Sequence, residues 1–441
     1  LKGDRLGSLV QAHGMNHSRS LGASSALPVS GAKFGIALSW DHAPGQSVDL
    51  DLQGVAFDTS GKLLDAVYYN NLKALGKGIT HSGDEKTGEK RGFDECIWVN
   101  FTKLPGGVQL LVFVVACYKG GCITSARNAR FHILQDSVSS EVANFGLGQS
   151  SGKATVVGYL QCRAGSWSFG TLDLPTTHGQ HFIDILEPTI GNFVRSVLPG
   201  APARIKAAFA MEKGTVVDLP ETSILRRAQA GLGWDTTMGE VDLDVSAILL
   251  DRDAREVDCC FFGNEEAQGV KHSGDNLTGH GAGDDEVITI DLEALSADVE
   301  QIFFVINIYT KGRTFAMVAN PYCRIISPSG EEFCRYQLHE AGDQQALIMA
   351  RLFREPGDAR WGFQAVGTPC RGQTYKDSLP EVVKLAHTRP RELALTRTFS
   401  TLSVAENEFR GAHGTSAQPL DAEVIDHSSK QAVCGSDCTL Q

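Results

Sequence analysis

No stretch of this chain approaches the length of a membrane-crossing helix. Its most apolar runs, Leu110 to Cys117 and Ile302 to Ile308, are less than half of the roughly 20 residues such a helix needs. Basic charge is also scarce: 40 Lys and Arg stand against 52 Asp and Glu, a formal net charge of −12. Phosphate backbones require basic surface, so nucleic acid is not expected as a main partner, and the balance suits a protein that gathers cations. Paired cysteine spacings are missing too. The eleven cysteines are odd in number; Cys259 and Cys260 are adjacent, while Cys434 and Cys438 lie in a terminal stretch without a second pair. Neither a zinc site nor a disulfide framework follows, and reduced thiols in a cytoplasmic protein are expected. The chain opens Leu1-Lys-Gly-Asp without an apolar signal core, so no secretion signal is expected.

What is present is ordinary globular composition, 42% hydrophobic and 21% charged, over 441 residues, enough for two domains with a core each. An internal repeat organises them. Ser39-Trp40-Asp41 answers Gly233-Trp234-Asp235, and Val48-Asp49-Leu50-Asp51 answers Val241-Asp242-Leu243-Asp244. His81-Ser82-Gly83-Asp84 answers His272-Ser273-Gly274-Asp275, Asp94-Glu95 answers Asp285-Glu286, and Trp167-Ser168-Phe169 answers Trp361-Gly362-Phe363. The offset stays between 191 and 194, which marks a duplication with small loop changes. Pro199-Gly200-Ala201-Pro202 breaks the chain between copies, giving domains at 1–198 and 205–385 and a partly ordered tail at 386–441.

Short β-branched or aromatic runs bounded by Gly, Asp and Asn recur in both copies, at Val48 to Phe57, Glu95 to Phe101 and Val108 to Tyr118, and at Val241 to Leu249, Glu286 to Asp291 and Ile302 to Tyr309. The fold class is mainly β: two tandem β-sandwiches with a few short helices. One helix per copy is expected, in the second around Gln344 to Phe353, where Ala346, Met349, Ala350 and Phe353 recur at helical spacing. Trp167 and Trp361 read as core anchors. Gly146-Leu-Gly148 lacks the third glycine and the strand–helix context of a nucleotide fingerprint.

The segment His272 to Glu286 carries the chemistry. It holds Asp275, Asp284, Asp285 and Glu286, the amide of Asn276 and the hydroxyl of Thr278, with no Lys or Arg. Crowded like charges are relieved by a cation, and Ca²⁺ takes six to eight hard oxygens in flexible geometry. Asp242 and Asp244, two apart on a strand, face one way while Val241, Leu243 and Val245 face the core. Asn264 is a further candidate oxygen donor. Turn-forming Asp, Asn and Gly are common on any surface; the single sign of charge and the recurring strand pair favour a site. The loop is not an EF-hand, because Leu277 and Gly279 stand where ligands are needed. Magnesium demands stricter geometry and zinc needs converging Cys or His. The first copy offers Asp49, Asp51, Asn71, Asp84, Glu85, Thr87, Asp94 and Glu95, but Phe93 replaces Asp284, and Lys86, Lys90 and Arg91 intrude. Weaker metal binding is expected there.

These residues resemble the tellurium-resistance TerD family, whose hallmark is Gly-Leu-Gly-Trp-Asp, then Asp-x-Asp, a Tyr-Asn-Asn stretch, His-Ser/Thr-Gly-Asp-Asn-x-Thr-Gly and a closing Gly-Asp-Asp-Glu. The second copy matches at Gly231 to Asp235, Asp242 and Asp244, His272 to Gly279 and Gly283 to Glu286, and departs at Gly263, which replaces the first Asn of the stretch. The first copy matches at Ser39 to Asp41, Asp49 and Asp51, Tyr69-Asn70-Asn71 and His81 to Gly88. The resemblance covers most of residues 1 to about 385. It implies a calcium-binding β-sandwich, a part in tellurite and chemical stress, and protein partners in complexes near the membrane. It supplies no catalytic activity, and a non-enzymatic role is expected. His81 and His272 brace the loops, since no nucleophile recurs beside them. The rival reading is a metal-assisted receptor or hydrolase for a small anion such as cyclic AMP, which relatives in social amoebae are described as binding. A purely structural scaffold comes third.

Overall fold

The computed structural model describes residues 18–19, 26–42, 45–90, 92–147, 152–236, 241–274, 283–337, 342–354 and 360–390. Most of the expected tail, and the loop residues Asp275, Asn276 and Thr278, lie outside them. The main strands of copy one are β1 (Lys33–Asp41), β2 (Asp49–Asp58), β3 (Leu63–Val67), β4 (Ile79–His81), β5 (Glu95–Asn100), β6 (Val108–Lys119), β7 (Arg127–Gln135), β8 (Glu141–Gly146), β9 (Ala154–Arg163) and β10 (Ser166–Thr176). Copy two repeats them as β11 (Arg227–Thr236), β12 (Leu243–Leu250), β13 (Glu256–Cys260), β14 (Val270–His272), β15 (Glu286–Asp291), β16 (Gln301–Ile308), β17 (Val318–Ile326), β18 (Glu332–Gln337), β19 (Ala346–Phe353) and β20 (Gly362–Cys370).

Each copy is a sandwich of a seven-stranded and a six-stranded sheet. In copy one the larger sheet runs β8-β7-β1-β5-β4 between two-residue edge strands, Ser18–Arg19 and Lys73–Ala74, and the smaller runs β10-β9-β6-β2-β3 beyond the short strand Leu27–Pro28. Copy two has the same order, β18-β17-β11-β15-β14 and β20-β19-β16-β12-β13, with Phe209–Met211, Glu266–Ala267 and Val216–Asp218 at edges. Inward residues of the facing sheets make the two main cores: Leu50, Leu52, Phe113, Phe131 and Phe169 in one, Val245, Phe304, Ile306, Trp361 and Phe363 in the other. Trp361 is part of its core, and Trp167 packs on the edge of its own.

The smaller sheet of each sandwich is apolar on both faces, which explains runs such as Val108–Lys119 that lack alternation. A segment that follows each sandwich covers the outer face. In copy one this is residues 182–207, with helix α1 (Gly191–Val197), laying Phe182, Ile190 and Val194 against Val55, Val112 and Val156. In copy two it is helix α2 (Tyr375–Ala386), whose Val382 and Ala386 pack on Ile248, Phe303 and Ile348. Thr374 and Asp377 cap α2 reciprocally at its start. At its end the buried Arg351 donates to the carbonyls of Leu385 (3.0 Å) and Thr388 (3.2 Å).

The helix expected around Gln344 to Phe353 is instead strand β19. Every residue from Ala346 to Phe353 is buried, because this strand is sandwiched between the core and α2. A register irregularity between Ile348 and Ala350 turns both Met349 and Ala350 toward the core. That bulge adds an apolar pair whose spacing imitates one face of a helix.

Candidate metal centre

The site in copy one begins with a strand left half unpaired. β3 pairs with β2 only from Gly54 onward, so among the described residues the stretch before it has no strand neighbour on that side. Side chains take the neighbour's place. Glu95 Oε2 accepts the Leu52 N–H at 2.7 Å, and His81 Nε2 meets the Leu52 carbonyl at 2.9 Å. His81 Nδ1 accepts from Gly83 N–H at 3.0 Å, which fixes the ring proton on Nε2. Glu95 also accepts from Glu85 N–H (3.2 Å), tying the following loop to the strand. Copy two repeats the bracket: Val245 N–H donates to Glu286 Oε2 (3.0 Å), and Gly274 N–H to His272 Nδ1 (3.0 Å).

On this edge the pleat turns Leu50 and Leu52 into the core and Asp49 and Asp51 outward. Asp84 comes from the loop, and the three carboxylates lie within 4.8 Å of one another. Among the described residues, Asp49 Oδ1 and Asp51 Oδ2 are buried with no hydrogen-bond partner. Burial, then the charges of Asp84 and Glu95, push Asp49 up to about 7. Burial, then Asp49 and Glu95, raise Asp51 well above the carboxylate range. Two lysines act on the trio: Lys86, 3.2 Å from Asp84 and 69% exposed, and Lys119, whose charge opposes the rise of Asp49. Three converging hard oxygens, two of them desolvated, fit an oxygen-seeking cation. Such a cation would be held by Asp49, Asp51 and Asp84.

The other candidates separate into braces and ligands. Asp94 uses Oδ2 to accept Trp40 N–H (2.9 Å) and keeps Oδ1 buried and unbonded. Burial, opposed by the Trp40 amide, raises its titration. Glu85 accepts both the amide and the hydroxyl of Thr87 (3.0 and 2.6 Å), so these two residues close their own turn. Asn71 donates to the Ala66 carbonyl (2.6 Å) and Asn264 to that of Cys259 (2.8 Å), each closing a hairpin rather than facing the carboxylates. Asn71→Ala is expected to cost about 0.5–1.5 kcal/mol in denaturant unfolding and to leave calcium affinity unchanged.

In copy two, Asp244 is buried and Val241, Leu243 and Val245 face the core. Asp242 N–H donates to Thr310 Oγ1 (3.0 Å), and Asp285 Oδ2 accepts Trp234 N–H (2.8 Å). Asp284 points elsewhere. Arg324 grips its carboxylate with two N–H groups (2.8 and 3.0 Å), and Tyr322 donates to it at 2.9 Å. The Phe93-for-Asp284 exchange therefore removes that ion pair from copy one, not a carboxylate of the metal cluster.

Sequence reading missed the junction between copies. The loop that covers the copy-one strand is held by Gln53, whose Oε1 accepts Phe182 N–H (2.7 Å), and by Asp184, which accepts the amides of Gln180 (3.0 Å) and His181 (3.1 Å). Arg360 of copy two clamps the same Asp184 at 3.0 and 2.6 Å and donates to the Leu219 carbonyl at 2.9 Å. Beside it Asn70 donates to the fully buried Asp218 (2.8 Å). The only sequence signal was that Gly179-Gln180-His181-Phe182-Ile183-Asp184 has a partner at Gly372 to Asp377, with Asp377 capping α2 as Asp184 caps its loop.

The TerD domain is matched twice along the chain, over residues 22–180 and 207–384. The chain belongs to the TerD family. It resembles tellurium resistance protein TerZ of Serratia marcescens, 37% identical over 177 residues, which are 37% of this chain and 90% of that protein. General stress protein 16U of Bacillus subtilis is 38% identical over 178 residues, 37% of this chain and 91% of that protein. The solved structure of a telluride resistance protein (TerD) homologue from Streptomyces coelicolor aligns with 37% of this chain and 99% of its own, at 19% identity and a TM-score of 0.31. TerZ and 16U each match over one domain's length, whereas here two TerD domains stand in tandem.

Proposed function

We propose that this tandem TerD protein binds calcium at the carboxylate edge of its sandwiches and acts in a stress response, with the ion stabilising or switching a surface for protein partners. One observation carries the reading: two desolvated carboxylate oxygens, on Asp49 and Asp51, have no hydrogen-bond donor and converge with Asp84. Calcium is favoured because the donors are oxygens only and come from both a strand and a loop, which suits its variable coordination. Copy two would use Asp242, Asp244 and Asp285 on the same scaffold, together with the expected Asp275, Asn276 and Thr278. The names of TerZ and 16U support the stress assignment. Each acidic centre binds and does no chemistry of its own, since the adjacent His81 and Glu95 are committed to the strand edge.

The anion-receptor reading would need cationic or aromatic groups facing the carboxylates. A groove of about 690 Å³ does exist, lined by Arg204, Arg226, Arg227 and Phe333. Its arginines are paired with Glu331, Glu293 and Asp291, and it is lined by none of the cluster residues. Among the described residues, no helix is long and apolar enough to cross a membrane, and every cysteine is free. The free thiols support a reducing, cytoplasmic setting. Association with membrane complexes would then run through protein partners.

Calcium at a hundredfold excess over its dissociation constant stabilises a protein by roughly 2.7 kcal/mol if only the native state binds. The full chain is expected to melt several degrees higher in calcium than in chelator. A melting temperature that calcium does not move would overturn the proposal.

A further inference from the structure

The outer face of the larger copy-one sheet, away from the core, carries a second constellation that metal binding leaves unused. Ser39 Oγ lies 2.8 Å from His132 Nε2, and His132 Nδ1 lies 3.3 Å from Glu141 Oε1. The sheet register builds this order. Ser39 on β1 stands opposite Arg130 on β7, and Ala37 opposite His132, so Ser39, Arg130 and His132 share one face. A register irregularity after Ile133 then sets Glu141 on β8 opposite Leu134, within reach of the imidazole. The Phe93 ring packs on His132 at 4.8 Å and leaves the ring 10% exposed, while Ser39 remains half-buried.

Copy two closes the same place. Gly233 stands for Ser39, Tyr322 for Arg130, Arg324 for His132, Glu332 for Glu141 and Asp284 for Phe93. A Cβ on Gly233 would come within 2.5 Å of the Tyr322 ring, and Arg324 bridges Asp284 and Glu332. An ionic brace is thus sufficient for the fold at this position. Copy one has exchanged it for a hydroxyl, an imidazole and a carboxylate in series, the arrangement that activates a nucleophile.

We propose that Ser39, His132 and Glu141 act as nucleophile, general base and orienting carboxylate toward small carboxylic esters, with Arg130 stabilising the developing oxyanion. The strand amides here are engaged in the ladder, so the oxyanion falls to a side chain. Arg130 stands directly opposite Ser39 in the strand register and is held by Asn144 through Nε and Nη2. Burial lowers the titration of His132 against the opposing pull of Glu141, which keeps the ring a neutral base at pH 7. Ser39 Oγ attacks the ester carbonyl carbon and its proton passes to Nε2. The carbon–oxygen bond to the alcohol breaks, and the alcohol leaves with that proton. Water, giving a proton to Nε2, then attacks the acyl carbon; Ser39 departs, takes the proton back, and the free acid is released.

The test is a fluorophosphonate probe on the full chain, with adducts located by peptide mass spectrometry and p-nitrophenyl acetate hydrolysis followed in parallel. One adduct is expected, on Ser39, unaffected by calcium or chelator. Ser39→Ala and Ser39→Gly should abolish it, and His132→Gln should slow it about 100-fold or more. Arg130→Gln should slow ester hydrolysis. Glu141→Gln, acting through the imidazole, should lower the rate and shift the midpoint of its pH profile downward, since Glu141 raises and Arg130 lowers the His132 titration. No adduct above that of heat-denatured protein, an adduct elsewhere, or a rate indifferent to His132→Gln in a variant that melts like the parent would overturn the proposal.

Discussion

Arg360→Ala is expected to destabilise the chain by about 3–5 kcal/mol, because it strands a buried carboxylate. The Arg360 and Asp184 side chains are 3% and 0% exposed, and the guanidinium makes two bonds to the carboxylate. Burial alone would raise the Asp184 titration; Arg360 more than offsets this and holds it below the carboxylate range. A depressed folded-state value means this contribution is present above the unfolded pKa near 4 and lost as pH falls through the folded one. The variant should therefore lose stability at neutral pH and lose less of what remains on acidification. Asp184 also accepts the Gln180, His181 and Glu221 amides, so the loop over copy one should loosen first. Urea unfolding at pH 7 checks this, and a loss below about 1 kcal/mol, the range of a surface pair, would show that the clamp contributes little.

The second large effect has opposite signs with and without metal. Asp51→Asn should remove the calcium-dependent stabilisation of copy one while raising the stability of the metal-free protein. Asp51 is 3% exposed, and its folded-state pKa is raised by burial and by Asp49, Glu95 and Asp84. A raised value means the associated stability is complete below the unfolded pKa near 4 and is lost as pH climbs. Asparagine carries no such loss. In chelator, parent and variant should melt together near pH 4 and diverge toward pH 8 with the variant higher. In calcium the order should reverse. A variant that is less stable than the parent in chelator at pH 8 would mean that Asp51 braces the fold and does not serve an ion.

Much of the fold was legible because the duplication showed each run twice. The strand pair Asp49/Asp51 and its partner Asp242/Asp244 read correctly as one polar face above an apolar one, since strand periodicity needs no tertiary knowledge. The reading failed where burial erased periodicity. Ala346–Phe353 is covered on both sides and bulged, so its pattern imitates a helix. It also failed where direction mattered. Asp284 and Asp285 are neighbours in sequence, yet one pairs with Arg324 on the sheet face and the other accepts the Trp234 amide. Counting charges along a loop cannot separate them. The repeat marks Asp184 as the counterpart of Asp377, but nothing local pairs it with Arg360, 176 residues away, or Ser39 with His132, 93 away.

The most direct test of the central claim is terbium luminescence. Trp40 donates its indole N–H to the Val48 carbonyl (3.0 Å), next to Asp49, so it sits close enough to sensitise an ion in the carboxylate cluster. Titrating the full chain with terbium should give tryptophan-sensitised emission that calcium displaces. The Asp49→Asn, Asp51→Asn double variant should lose the share contributed by copy one. Emission curves identical in parent and double variant would contradict the account.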